Sequence, residues 1–177
     1  MTLAPFFDAP IYIQLHASTA ALALILGPFV ILRTARDRLH KVGGYIWVLA
    51  MFVVAVSSFW ITEFGLIGPF SPIHLLSAFT LWSLWAGMRY AFAGRMDLHR
   101  RVFQNLYWRG LVIAGLFNFL PGRALNRSVL PDMADAGWLV IGFGMTLILG
   151  DMALRHRRAI SLERNAKFAL EKPAPLV

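Results

Sequence analysis

Residues 11–32, IYIQLHASTAALALILGPFVIL, contain no charged side chain. About 20 helical residues cross the hydrocarbon core of a bilayer, so this run is long enough to span one. It is continuously apolar rather than alternating, the pattern of a membrane helix and not of a barrel strand. Working outward, four more stretches read the same way. The expected spans are about 11–32, 40–62, 72–90, 102–120 and 137–154. Turn-forming residues separate them: Gly65, Gly68, Pro69 and Pro72, then Gly94 and Asp97, then Pro121, Gly122 and Pro131. The fold class expected is an all-α membrane protein with five transmembrane helices. Residues 1–155 form one integral-membrane domain and 156–177 a basic tail.

The composition of the 177-residue chain agrees: 58% hydrophobic, 15% charged and a mean hydropathy of +0.62. A soluble domain is about 45–50% apolar and about 25% charged. Disordered chains and soluble enzymes are therefore poor readings. The absence of cysteine removes disulfides, iron–sulfur clusters and thiolate zinc sites.

A net charge of +8 in a soluble protein would suggest nucleic acid. Here the basic residues follow the spans instead. Arg33, Arg36, Arg38 and Lys41 lie between the first and second, and Arg89, Arg95, Arg100 and Arg101 between the third and fourth. Arg155, Arg157, Arg158, Arg164, Lys167 and Lys172 follow the fifth. The opposite side carries Arg123 and Arg127 beside Asp8, Glu63, Asp132 and Asp135. The positive-inside rule then puts the N-terminus outside and the C-terminus in the cytoplasm of a bacterial inner membrane. The start, with Asp8 and no basic region, does not read as a cleavable signal. The lipid bilayer is the expected partner and nucleic acid is not.

Four of the five histidines repeat. His16 and His74 lie near the outer ends of spans one and three; His40 and His99 open spans two and four from the inner side. Leu15-His16-Ala17-Ser18-Thr19-Ala20 matches Ile73-His74-Leu75-Leu76-Ser77-Ala78, and Leu39-His40-Lys41 matches Leu98-His99-Arg100. Arg36 and Arg95 each stand four residues before an inner histidine. This reads as a four-helix bundle of two parallel hairpin repeats plus one added helix. His156, in a basic run, reads as solvated.

The repeat puts the histidines at two levels, roughly 20–25 Å apart at 1.5 Å per residue. Two pairs cannot make one metal site, but each can clamp a haem iron axially, because the porphyrin supplies the other four donors. Zinc or copper would want further ligands. The candidate outer haem ligands are His16 and His74, and the inner ones His40 and His99, for two haems b per chain with no other metal. Arg123 outside, and Lys41, Arg100, Arg36 and Arg95 inside, are candidate propionate partners. Arg109, within span four, needs a partner such as a propionate, Glu63 or a carbonyl. Gly27 and Gly110, each 11 residues from a histidine, would share its face and leave room for a flat ring. Two other readings stay open. Histidines and Arg109 could line a polar path in a transporter or ion-handling protein. Alternatively, the histidines are structural, in a small accessory subunit whose glycine-rich fifth span (Gly137, Gly142, Gly144, Gly150) packs against a larger complex. The tryptophans and Met51, Met88 and Met145 read as belt, packing or core residues.

The histidine architecture resembles that of the cytochrome b-561 family, which holds two b-type haems on alternate helices and passes electrons across a membrane. The resemblance implies a membrane oxidoreductase of electron-transfer type, with donor and acceptor open, a quinol among them. The chain departs from that family in having one flanking helix rather than two, with His40 and His99 very near helix starts. On that ground His16 and His74 are the stronger pair. Local sequence is more similar to a bacterial group of predicted membrane proteins of unknown function (DUF2306-like). It rests on His16, Gly27-Pro28, Leu39-His40-Lys41-Val42-Gly43-Gly44-Tyr45, Ser71-Pro72-Ile73-His74-Leu75-Leu76-Ser77, His99-Arg100-Arg101 and Phe119-Leu120-Pro121-Gly122-Arg123. A homodimer or a larger membrane complex is among the assemblies such a chain allows.

Overall fold

The computed structural model describes residues 4–62 and 72–171. Glu63, Gly65, Gly68, Pro69 and Lys172 lie outside the described residues. Within them every regular element is helical. In chain order these are α1 (Ala4–Phe7), α2 (Ile11–Ile31), α3 (Arg38–Ser57, with a tight 3-10 turn over Ser58–Trp60) and α4 (Pro72–Phe92). After these come α5 (Met96–Asn105), a π-helical segment (Leu106–Val112), α6 (Ile113–Phe117), α7 (Ala124–Val129) and α8 (Ala136–Glu171).

Among the described residues, three helices are long and apolar enough to cross a membrane: Ile11–Ile31, Arg38–Trp60 and the Ala136–Leu154 part of α8. The other two expected spans are diluted or interrupted. α4 has the length, at 21 residues, but carries Ser77, Thr80, Trp82, Ser83, Trp85, Arg89 and Tyr90. The fourth stretch opens on the polar run Met96–Arg101, and its backbone passes from α5 through the π segment into α6. Nor does the last helix stop at Leu154. α8 continues unbroken to Glu171, so the basic tail as far as that residue prolongs this apolar helix.

α2 packs along α3, α4 along α5, and α3 joins the two hairpins. The core gathers Ala23, Trp47, Met51, Leu84, Phe103, Leu106, Tyr107 and Leu111. One backbone defect organises it. Pro28 lies inside α2 and has no N–H, so the Leu24 carbonyl four residues earlier loses its helical donor. The Tyr107 hydroxyl donates to that carbonyl at 3.0 Å. One residue earlier, the Ala23 carbonyl accepts from Trp47 Nε1 at 3.0 Å. Gly27 makes the approach possible, since a Cβ there would overlap the Tyr107 ring. Tyr107 belongs to the π segment, so this ties the irregular turns of the fourth stretch to the Pro28 turn of α2.

The connection from α6 to α8 wraps around Asn126, which is fully buried. Its Nδ2 donates to the Phe119 and Ala134 carbonyls, both at 2.9 Å. α1 packs on α7 at this end. Outward-facing apolar side chains such as Ile25, Phe29, Leu49, Leu139 and Phe143 cover α2, α3 and α8, a surface suited to lipid tails.

Candidate functional site

At the basic end of the helices, expected to face inward, the loop after α2 positions His40. Asp37 caps α3, accepting from the His40 amide at 3.0 Å, and it also pairs with Arg33. The Arg33 guanidinium, and then the His40 amide, hold the Asp37 carboxyl at about 2, below the usual carboxylate range. The capped turn fixes the first residues of α3, and His40 is the third of them. In the second hairpin His99 is the fourth residue of α5. There Arg95 precedes the helix and supplies no side-chain cap.

The two rings then meet. Their centroids are 6.4 Å apart and their planes cross at 76°. His40 Nδ1 lies 3.2 Å from the Val30 carbonyl and His99 Nδ1 3.0 Å from the Gly87 carbonyl, each on the preceding helix. A carbonyl only accepts, so in both rings Nδ1 carries the proton. In the neutral rings Nε2 then bears the bare lone pair. This is the tautomer of a metal-ligating histidine, with its far N–H held by a backbone carbonyl. The ring separation would let both imidazoles hold one metal-bearing group placed between them. The donor set, two neutral imidazoles, fits a group bringing its own equatorial donors.

A cavity of about 580 Å³ includes both histidines in its lining, with Arg33, Arg36, Lys41 and Arg100. Arg100 also donates to the Arg33 carbonyl at 3.3 Å, tying the inner ends of the two hairpins together. Phe103 packs edge-on against His99, with centroids 4.8 Å apart.

The outer level is built differently. His16 Nδ1 lies 3.0 Å from the Val54 carbonyl and 3.2 Å from Ser57 Oγ. His74 uses its other nitrogen, with Nε2 3.3 Å from the Phe59 carbonyl, and its ring tilts over Phe59 at 5.7 Å. Both histidines thus bond to the end of α3 or the turn after it. Ser57, Ser58, Ser77, Thr80 and Ser83 are buried at α3 and α4, and Ser58 and Ser77 share a hydroxyl–hydroxyl bond.

The remaining candidates separate. Arg36, Lys41 and Arg100 join the inner histidines. Arg95 lies instead over the Tyr90 ring, at 5.4 Å. Arg109 is exposed on the π segment, and Arg123 is half-buried just before α7. Gly27 is filled by Tyr107, and Gly110 is buried with its Cα face close to Leu106 of its own turn. Neither glycine borders the inner cavity. Two positions that sequence reasoning passed over take part in the architecture, Asp37 and Tyr107; Trp47, read as a belt or packing residue, is buried in the core. Pro28 was a signal for a missing donor; the distant residue that supplies it was not readable.

The sequence pattern of DUF2306, described as a predicted membrane protein, matches residues 13–154. The chain belongs to the DUF2306 family. The match runs past Arg123 and takes in the connection around Asn126 and the apolar part of α8. No curated protein and no solved structure matches the chain.

Proposed function

We propose that this DUF2306 protein is a b-type cytochrome that carries electrons across the bacterial inner membrane. The observation that carries the reading is the His40–His99 pair: rings 6.4 Å apart, with both Nδ1 atoms held by carbonyls. In this reading α4 and the α5–π–α6 segment also cross the bilayer, giving five spans arranged as two parallel hairpins plus α8, with the basic ends in the cytoplasm. Bound haem supplies one-electron redox chemistry. The chain's own residues do the rest. Val30 and Gly87 orient the inner imidazoles and keep Nε2 unprotonated. Arg36, Lys41 and Arg100 offer donors to carboxylate groups at the cavity. Phe103 and Trp47 give the cavity an apolar wall beside the inner rings.

His16 and His74 are the second ligand pair in this reading. His16 has Nε2 to offer, since Val54 holds Nδ1. His74 must give up its Phe59 bond to ligate through Nε2. A quinol or a soluble reductant is a suitable donor.

The buried hydroxyls of α3 and α4, with Ser57 bonded to His16, favour a second reading, an ion-handling membrane protein without haem. One measurement separates the two: the absorption spectrum of the detergent-purified protein, oxidised and dithionite-reduced, with haem quantified per chain. A sharp reduced α-band with two haems per chain is expected. A colourless protein after expression with ample haem overturns the cytochrome reading.

A further inference from the structure

The end of α4 and the turn after it form a second cleft, of about 370 Å³, sharing no lining residue with the histidine cavity. Trp82, Trp85, Arg89, Tyr90 and Arg95 line it, and Ala86 and Ala93 leave the space between them. Spacings of three and four residues put Trp82, Trp85 and Arg89 on one face of α4. The two tryptophans are 60% and 58% exposed. Large apolar indoles in that state suit the boundary between acyl chains and headgroups.

The arginines are held but not neutralised. Arg89 lies 5.2 Å over the Trp85 ring and Arg95 5.4 Å over the Tyr90 ring. A cation–π contact positions a guanidinium and leaves its charge and N–H donors for another partner. The tight turn through Gly94, with φ of +72°, carries the chain back so that the Arg95 amide donates to the Tyr90 carbonyl at 2.9 Å. Among the described residues, no carboxylate lines the cleft. Two guanidinium forks beside an aromatic wall match a ligand that is phosphate at one end and hydrocarbon at the other.

We propose that this cleft binds the phosphate of an anionic membrane phospholipid, its acyl chains lying along Trp82 and Trp85. The site is independent of haem. The test uses the full chain in mild detergent, with native mass spectrometry and thermal melting. Phosphatidylglycerol, phosphatidylcholine and inorganic phosphate are compared at equal phosphate concentration. Phosphatidylglycerol should stay bound and raise the melting temperature, while the other two have little effect. Arg89→Gln with Arg95→Gln should weaken phosphatidylglycerol retention about twentyfold, and either substitution alone about fivefold. Arg101→Gln, an exposed arginine outside the cleft, should leave it unchanged. If the double variant fails to fold, the single variants carry the test. Equal retention of the two lipids, or single variants that bind as the parent does, overturns the proposal. So does a loss in Arg101→Gln as large as in the cleft variants, which would mean diffuse charge attraction. Stabilisation by inorganic phosphate matching that of the lipid would make this a soluble-anion site instead.

Discussion

At the basic end of the bundle, His40 and His99 lie with ring centres 6.4 Å apart and the same nitrogen of each bonded to a helix carbonyl. At the other end, His16 bonds through Nδ1 to Val54, and His74 through Nε2 to the Phe59 carbonyl. Sequence spacing within the two pairs is nearly the same, yet the results differ. The inner histidines open α3 and α5 and meet directly. The outer ones, on α2 and α4, clasp the end of α3. Nearly equal spacing along the chain does not guarantee that two side chains find the same kind of partner.

The largest test of this contrast is His40→Ala or His99→Ala. If the proposed haems are bound, either should remove the inner one, read as loss of half or more of the haem per chain. His16→Ala should remove the outer half. If it leaves haem content unchanged while His40→Ala empties the protein, the contrast sharpens to a single-haem protein whose outer histidines are structural. Next comes Gly27→Ala, between the two levels on α2. Forcing a methyl against Tyr107 should destabilise the fold by about 1–3 kcal/mol, seen in the melting temperature. Both levels should weaken together, whereas loss confined to the inner haem would break the view of Tyr107 as a common lock. Tyr107→Phe keeps the ring and deletes the bond to Leu24, and should cost about 1 kcal/mol. The smallest effect is expected from Asp37→Asn, which touches the inner level alone. The Asp37 carboxyl is lowered to about 2 in the folded chain. Its contribution is therefore present above the ordinary carboxylate range and lost as pH falls through about 2. The small difference in melting temperature between parent and variant should shrink steadily as the medium is acidified below pH 4. A gap that does not change with pH would show the carboxylate to be irrelevant.

Much of the helical layout was legible because burial in lipid imposes long apolar runs. Residues 11–32 closely anticipate α2, and 72–90 anticipate α4 to within two residues at its far end. The extent of α8 was not, since Arg155, Arg157 and Arg158 read as the end of a span although charge alone does not stop a helix. The π segment at Leu106–Val112 left no local signature, because its irregularity answers to α2 across the bundle. The histidines were found from their spacing. Sequence also favoured His16 and His74 as the stronger pair; the closest ring geometry described is that of His40 and His99. The carbonyls of Val30 and Gly87 that select the tautomer belong to backbone, which no side-chain pattern announces.

The bond from Tyr107 to the Leu24 carbonyl joins residues 83 positions apart. A ribosome working at about 5–20 residues per second needs roughly 4–17 s to travel that distance. Throughout that interval the newly made α2 carries an open acceptor at Leu24, in surroundings that offer no water to fill it. The nascent first hairpin is thus incomplete until the fourth segment emerges. Chains truncated before Tyr107 should therefore be held at the insertion machinery and cleared by membrane proteases sooner than chains that include it.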